Sequence, residues 1–300
     1  MAQSEPAWSI VIPTYGRGAQ LPGLLEALSR QVAPAGGFEV IIVDDGSPQP
    51  LDEIVEPFRE RLPLILHRQT NAGPASARNT GVALARGRWI ALTDDDCRPG
   101  ARWLVELARG LDARNDVLIG GMTINGYPHM AGAAASQTLV DYLYASAQKA
   151  GAGALDFVTS NNMALSRHAF ERLGGFDTDF PLAAGEDRDF CDRWIASGGT
   201  IEQAPAAHIE HFHALTPRAF WRQHFNYGRG AHRVHALRQA RRTSAEQRRF
   251  KRLSFYGGLI FYPVRERRPQ ALRQTAMLTL SQLATTAGYL AERFTQSDHA

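Results

Sequence analysis

Asp94-Asp95-Asp96 is a run of three adjacent carboxylates in a chain of 300 residues. Hard divalent cations such as Mg²⁺ and Mn²⁺ prefer oxygen ligands. Carboxylates at i and i+2 on a bend, here Asp94 and Asp96, can converge on one ion and its shell of phosphate and water. The same triplet also suits a solvated turn that caps a helix. Asp44-Asp45-Gly46-Ser47 reads either as a tight turn or as a hydrogen-bonding site for a base or ribose. Gly185-Glu186-Asp187 opens a helical segment. Acids there oppose the helix macrodipole, and one of them can instead take the proton from an attacking hydroxyl. In His208-Ile209-Glu210-His211-Phe212-His213, strand alternation puts His211 and His213 on one face, as a surface or core cluster or as an additional metal ligand.

These residues need a scaffold, and the hydrophobic pattern supplies one. Residues 8–13, 38–43, 64–67 and 88–93 read as strands, and residues 21–30, 74–86 and 101–109 as helices between and after them. Alternating strands and helices imply an α/β fold with a mostly parallel central sheet flanked by helices. Ligands of open α/β sheets bind outside the carboxyl ends of the strands. Thr14-Tyr15, Asp44-Asp45-Gly46-Ser47 and Asp94-Asp95-Asp96 all follow strands and so fall on one edge. Further on, 117–124 and 157–165 read as strands, the latter interrupted by Asn161 and Asn162. Residues 131–148 read as a small-residue helix or loop, 186–196 as a helix stopped at Gly198-Gly199, and 217–240 as a helix.

Composition narrows the class. Hydrophobic residues make up 44%, enough for a real core. The two cysteines, Cys97 and Cys191, form neither a disulfide framework nor a zinc pattern, which points to a reducing compartment. The opening residues lack a basic stretch followed by an apolar run, so no secretory leader is expected there. From Arg218 to Arg273 there are 15 Lys plus Arg against Glu246 and Glu266, a net +13, while the remaining 18 Lys plus Arg and 28 Asp plus Glu sum to −10. Residues 275–290 are apolar and uncharged but only 16 long, short of the ~20 needed to span a bilayer.

Six motifs in order resemble family 2 glycosyltransferases. They are Val11-Ile-Pro-Thr14-Tyr15, Val43-Asp44-Asp45-Gly46-Ser47, Asn71 through Arg78-Asn79, Thr93-Asp94-Asp95-Asp96, Gly174-Gly-Phe-Asp177 and Gly185-Glu186-Asp187-Arg-Asp189. The resemblance spans residues 8–230. It implies a glycosyltransferase A fold and an inverting direct displacement on a nucleotide diphosphate sugar. Carried over by position, Pro13, Thr14, Tyr15, Asp44, Asp45 and Asn71 would surround the nucleotide, with Arg78 near it or the diphosphate. Asp94 and Asp95 would belong to the donor site, with Glu186 beside them and Asn161 and Asn162 in the strand lining the sugar pocket. Asp94 and Asp96 would hold Mn²⁺ or Mg²⁺, Asp96 as the more direct ligand, with His211 or its competitor His213 as a late ligand. Asp187 matches the catalytic base. The Gln-x-x-Arg-Trp signature of processive members is absent, which points to single addition rather than polymerisation.

The resemblance favours UDP as the nucleotide and a glycan or lipid-linked saccharide as acceptor. Two other classes compete. A sugar nucleotidyltransferase would need a glycine-rich loop with a downstream lysine, and Pro13-Thr-Tyr-Gly-Arg17 has neither. A non-catalytic carbohydrate-binding or scaffold protein would not need Asp94, Asp96 and Asp187 together. The +13 segment lacks a compact nucleic-acid recognition motif, so no nucleic-acid partner is expected. The expected layout is a catalytic domain over 1–216 and a C-terminal helical extension over 217–300, basic and then apolar. Trp221, Phe225, Tyr227, Phe250, Phe255, Tyr256, Phe261 and Tyr262 lie among its charges. That extension suits a cytoplasmic protein held peripherally on the inner, anionic face of the cell membrane.

Overall fold

The computed structural model describes residues 5–111, 113–149, 155–180, 184–241 and 253–297. Phe250 and much of the basic run around it lie outside the described residues. The chain divides into two compact units, one made of 1–124 with 153–212, the other of 125–152 with 213–300.

The first unit is built on an eight-stranded sheet: β1 (Trp8–Thr14), β2 (Phe38–Asp44), β3 (Leu64–Arg68), β4 (Trp89–Thr93), β5 (Cys97–Pro99), β6 (Val117–Asn125), β7 (Asn162–Ser166) and β8 (Thr200–His211). Their spatial order is β3-β2-β1-β4-β7-β6-β8-β5. The strands β3, β2, β1 and β4 run parallel, as the alternating pattern requires. At β4 the direction changes: β7 pairs antiparallel with β4 and with β6, and β5 pairs antiparallel with β8. The sheet is therefore mixed, parallel on one side and antiparallel on the other. Strand β7 starts at Asn162, later than the pattern over 157–165 suggests.

The helices of this unit are α1 (Leu21–Ser29), α2 (Asp52–Val55), α3 (Pro74–Leu84), α4 (Trp103–Leu111), α6 (Arg167–Leu173) and α7 (Glu186–Ala196), with α5 (Ala131–Lys149) assigned to the second unit. Strand periodicity splits the apolar residues between two faces. Ile10, Ile12, Val40 and Ile42 are buried with Leu21, Leu24, Leu25 and Leu28 of α1 and Trp103, Leu104 and Leu107 of α4. Val11 and Val43 face α3 on the opposite side, so closely that a Cβ on Gly81 would collide with Val11. Beyond α3, Phe170, Phe176, Phe190 and Trp194 stack in succession, with ring centroids 4.7–6.4 Å apart. Helix α7 fits the expected 186–196 at both ends.

The second unit packs α5 with α8 (Pro217–Arg241), α9 (Leu253–Arg265) and α10 (Ala271–Ser297). Its core contains Ala135, Leu215, Phe220, Leu259 and Leu278. The apolar stretch 275–290 is the middle of α10, and no helix among the described residues is long and apolar enough to cross a membrane. Helices α8 and α10 cross with their backbones nearly in contact. A Cβ on Gly228 would lie 2.0 Å from the Thr285 carbonyl oxygen, and one on Gly288 would lie 1.9 Å from that of Phe225. Next to this crossing the Ser281 hydroxyl meets His224 Nδ1 at 3.1 Å, and Arg229 Nε donates to Glu292 at 2.7 Å.

That crossing tolerates no side chain. Gly228→Val and Gly288→Val should each destabilise the helical unit by about 3 kcal/mol, the upper range for overpacking. Urea unfolding followed by circular dichroism reads this, and an unshifted midpoint would show that the helices do not approach this closely.

Candidate active site

The parallel strands deliver their polar ends to one edge. Thr14 and Asp44 are register partners at the ends of β1 and β2, and Thr93 ends β4 opposite Asn162, which begins β7. Pro13 is buried within β1, while Tyr15 just past it is exposed.

Asp95 and Asp96 are buried in the turn after β4. The Thr14 hydroxyl donates to Asp95 Oδ2 at 2.8 Å, and Arg17 Nε lies 3.3 Å from Asp95 Oδ1. The Arg17 guanidinium also donates to Asp96 Oδ2. Burial pushes the Asp95 carboxyl up to about 7, against the opposing pull of Arg17. Partial burial works to lower the Arg17 pKa, but Asp96 and Asp95 hold it above its usual value. On the other side of Asp96, His211 Nε2 lies 3.2 Å from Oδ1. That approach follows from pairing at the sheet edge, where Cys97 and His211 are opposite each other in β5 and β8 and the Phe212 N–H donates to the Asp96 carbonyl at 2.8 Å. Burial disfavours the charged imidazole, but the hydrogen bond it donates to Asp96, with the Asp96 and Asp94 charges, outweighs this and raises the His211 pKa. His213 belongs to the second unit.

This corner carries a possible metal-binding group. One ligand atom each from Asp96, Cys97 and His211 lies within 4.8 Å of the others. A carboxylate oxygen and an imidazole nitrogen suit Mn²⁺ or Mg²⁺. The Cys97 thiol does not: burial raises its pKa well above normal, so it stays protonated. The Arg17 guanidinium sits against the same carboxylate, a positive charge where a cation would bind.

Asp94, only half-buried, faces a second cluster. Arg78, buried in α3, donates to Asp94 Oδ1 at 2.8 Å and reaches Glu186 Oε1 at 3.3 Å. Burial acts to lower its pKa, but Asp94 and Glu186 raise it overall. Glu186 is buried at the start of α7, and its Oε2 has no hydrogen-bond partner among the described residues. Burial, reinforced by the adjacent Asp187 charge, pushes Glu186 up to about 7. Asp187 is raised too, chiefly by burial, although Oδ1 accepts the Arg188 N–H at 2.8 Å.

Other sequence candidates hold the frame. Asp45 accepts the N–H groups of Ala72 and Gly73 at 2.9 and 2.8 Å, fixing the loop that carries the exposed Asn71 and leads into α3. Asp44 accepts the Ser47 N–H and pairs with Arg68. Asn161 accepts the Thr159 hydroxyl at 2.6 Å. Asn162 is buried, with its amide committed to Trp103 Nε1 and to the carbonyls of Met122 and Ala207. It fills the space a side chain on Gly121 would need: a Cβ there would lie 2.3 Å from Asn162 Oδ1. Arg17 belongs to this site although none of the acidic motifs contains it. The available signal was a lone arginine three residues past a strand end, on the same edge as the acids.

Glu186 makes stability depend on pH. Its folded-state pKa lies above the ordinary 4.5, so its favourable contribution is complete below about pH 4.5 and is lost as pH rises through about 7. Glu186→Gln should therefore raise the melting temperature relative to wild type near pH 8 and leave it close to wild type near pH 4. Calorimetry at both values checks this, and an equal offset at each would contradict it.

Residues 9–174, more than half of the chain, match the family described as Glycosyl transferase family 2, and residues 154–216 match the N-terminal domain of galactosyltransferase. Among curated proteins, the chain is similar to the pre-mycofactocin glycosyltransferase of Mycobacterium tuberculosis, 28% identical over 228 residues that cover 74% of this chain and 46% of that protein. An uncharacterized glycosyltransferase of Haemophilus influenzae is 41% identical over 90 residues, 30% of this chain and 29% of that one. The chain thus spans less than half the length of these relatives. Among solved structures, the mannosyltransferase PcManGT from Pyrobaculum calidifontis in complex with GDP-Man and Mn²⁺ has a TM-score of 0.66 at 18% identity, covering 95% of this chain and 87% of that one. Staphylococcus aureus TarS 1-349 in complex with UDP has a TM-score of 0.52 at 18% identity, covering 98% and 92%. With the motifs in order, the acids gathered at the carboxyl edge of the sheet and the family match over more than half its length, this chain belongs to glycosyl transferase family 2.

Proposed function

We propose that the protein transfers a sugar from a nucleotide diphosphate sugar, with UDP favoured as the nucleotide, to a hydroxyl of a glycan or lipid-linked saccharide, with inversion. The observation that carries this reading is the convergence of Asp94, Asp95, Asp96, His211, Glu186 and Asp187 at the carboxyl edge of the sheet. PcManGT and TarS, solved with GDP-Man and Mn²⁺ and with UDP, lend support by fold.

Asp187 is the general base. Its oxygen accepts the proton of the acceptor hydroxyl as that oxygen bonds to the anomeric carbon. The bond from the anomeric carbon to the diphosphate oxygen breaks on the opposite face, and the electron pair leaves with the nucleotide diphosphate. A raised pKa suits this role, because a base works best when its pKa is near the working pH. Asp96 and His211 would hold the divalent ion, with Asp94 beside them, and when bound the ion neutralises charge on the leaving diphosphate. Arg78 holds Asp94 and Glu186 in place between the two clusters, and Thr14 fixes the Asp95 carboxylate. No carboxylic acid is needed on the leaving group, unlike the carboxylate pair of glycoside hydrolases.

Asp187→Asn should reduce turnover by roughly 10²–10⁴-fold while leaving donor affinity within about twofold. Turnover is read as nucleotide diphosphate released from a panel of nucleotide sugars with Mn²⁺. An equal loss of donor affinity would remove Asp187 from the base role. Treatment with EDTA should abolish turnover, and Mn²⁺ or Mg²⁺ should restore it. Asp96→Asn should in addition weaken Mn²⁺ binding measured by calorimetry without substrates. Full turnover in EDTA would contradict the metal assignment.

A further inference from the structure

The outward face of α10 is unusual for a helix in a water-exposed bundle. On a 100° wheel, Ser281, Thr285 and Gly288 point toward α8. Directly opposite lie Leu272, Ala276, Thr279, Leu283, Thr286, Leu290 and Phe294, all exposed. Leu283 and Phe294 are 60% and 66% exposed, and Leu272 reaches 80%. From Gln274 to Ala291 the helix contains no charged residue. At ~1.5 Å per residue, the stripe runs for about 33 Å. Solvent-facing helical stripes are ordinarily charged; this one is uncharged, with five of its seven residues apolar, and an exposed apolar patch of that kind marks an interaction surface. Helix α9 has a stripe of its own: Leu253, Tyr256, Phe261 and Val264 are exposed on one face.

The charges nearest these stripes are mostly positive. Arg265 ends α9, Arg267 lies in the connection, and Arg273 follows Leu272 at the start of α10. All three are exposed and have no ion-pair partner among the described residues. Glu266 is the lone acid between Leu253 and Arg273. A helix with leucines and phenylalanine on one side and arginines at its margin lies in the plane of an interface, with its apolar face among acyl chains and its cations at anionic headgroups.

We propose that the outer faces of α9 and α10 form the surface by which this protein docks on an anionic lipid bilayer. The apolar stripes enter the headgroup boundary, and Arg265, Arg267 and Arg273 bind lipid phosphates. Docking is peripheral, since no described helix spans. It rests on surface chemistry alone and holds whether or not the catalytic reading is right.

The test is flotation of the full chain with vesicles of phosphatidylcholine alone and of equal parts phosphatidylcholine and phosphatidylglycerol, without donor or acceptor. Wild type should float only with the anionic vesicles. Leu283→Glu with Leu290→Glu should abolish flotation while the melting temperature is unchanged, because both side chains are already exposed. Arg265, Arg267 and Arg273 changed together to Gln should weaken vesicle binding by on the order of 100-fold, from about fivefold per arginine. The proposal is overturned if wild type floats with neither vesicle, or if the leucine variant floats as wild type does. It is equally overturned if light scattering finds a wild-type dimer that the leucine variant splits and that does not float, which would make the stripe a contact between two copies.

Discussion

Crowding of negative charge at one edge of the sheet is the constraint around which the first unit is organised. Asp94, Asp95 and Asp96 are consecutive, and Glu186 and Asp187 are drawn in from a distant helix. Two like charges ~4 Å apart repel by about 4 kcal/mol at an effective dielectric of 20, and burial adds a desolvation cost for each. The fold answers with cations. Arg17 stands between Asp95 and Asp96, His211 covers the far side of Asp96, and Arg78 bridges Asp94 to Glu186. Burial outweighs that compensation, which is why Asp95 and Glu186 are pushed up to about 7 and Asp187 is raised above its ordinary range.

Rigidity at that edge comes from polar side chains turned inward. The Asn162 amide joins β7 to Met122 in β6, Ala207 in β8 and Trp103 in α4, in space kept open by Gly121. Asp45 holds the loop before α3 by its backbone and thereby sets where Arg78 begins its reach. Buried polar groups of this kind are costly when unmatched and fix geometry when matched. Groups that contact a ligand benefit most when such a second layer holds them still.

The helical unit follows a different logic. Its inner contacts are as close as backbone allows, through Gly228 and Gly288, while the outer face of α10 carries no charge over about five turns. Tight packing inside and an uncharged surface outside are separate decisions of the same helix, since residues three and four apart share a face and intervening ones do not.

Much of this was readable from the chain alone. The strand–helix alternation through residue 111, the bounds of α7 between Gly185 and Gly198, and the order of the acidic motifs follow from local periodicity and turn chemistry, which act over a few residues. Tertiary structure decided the rest. The reversal of direction between β4 and β7 has no local signature, because strand direction is set by which distant segment supplies the hydrogen bonds. The approach of His211 to Asp96 depends on pairing between β5 and β8, more than a hundred residues apart. The role of Arg17 depends on where a turn 79 residues away places its carboxylates. The stretch 275–290 was visibly apolar, but which of its side chains are buried was fixed only when α8 took the opposite face. Local pattern determines what a segment can form; long-range pairing determines what each side chain meets.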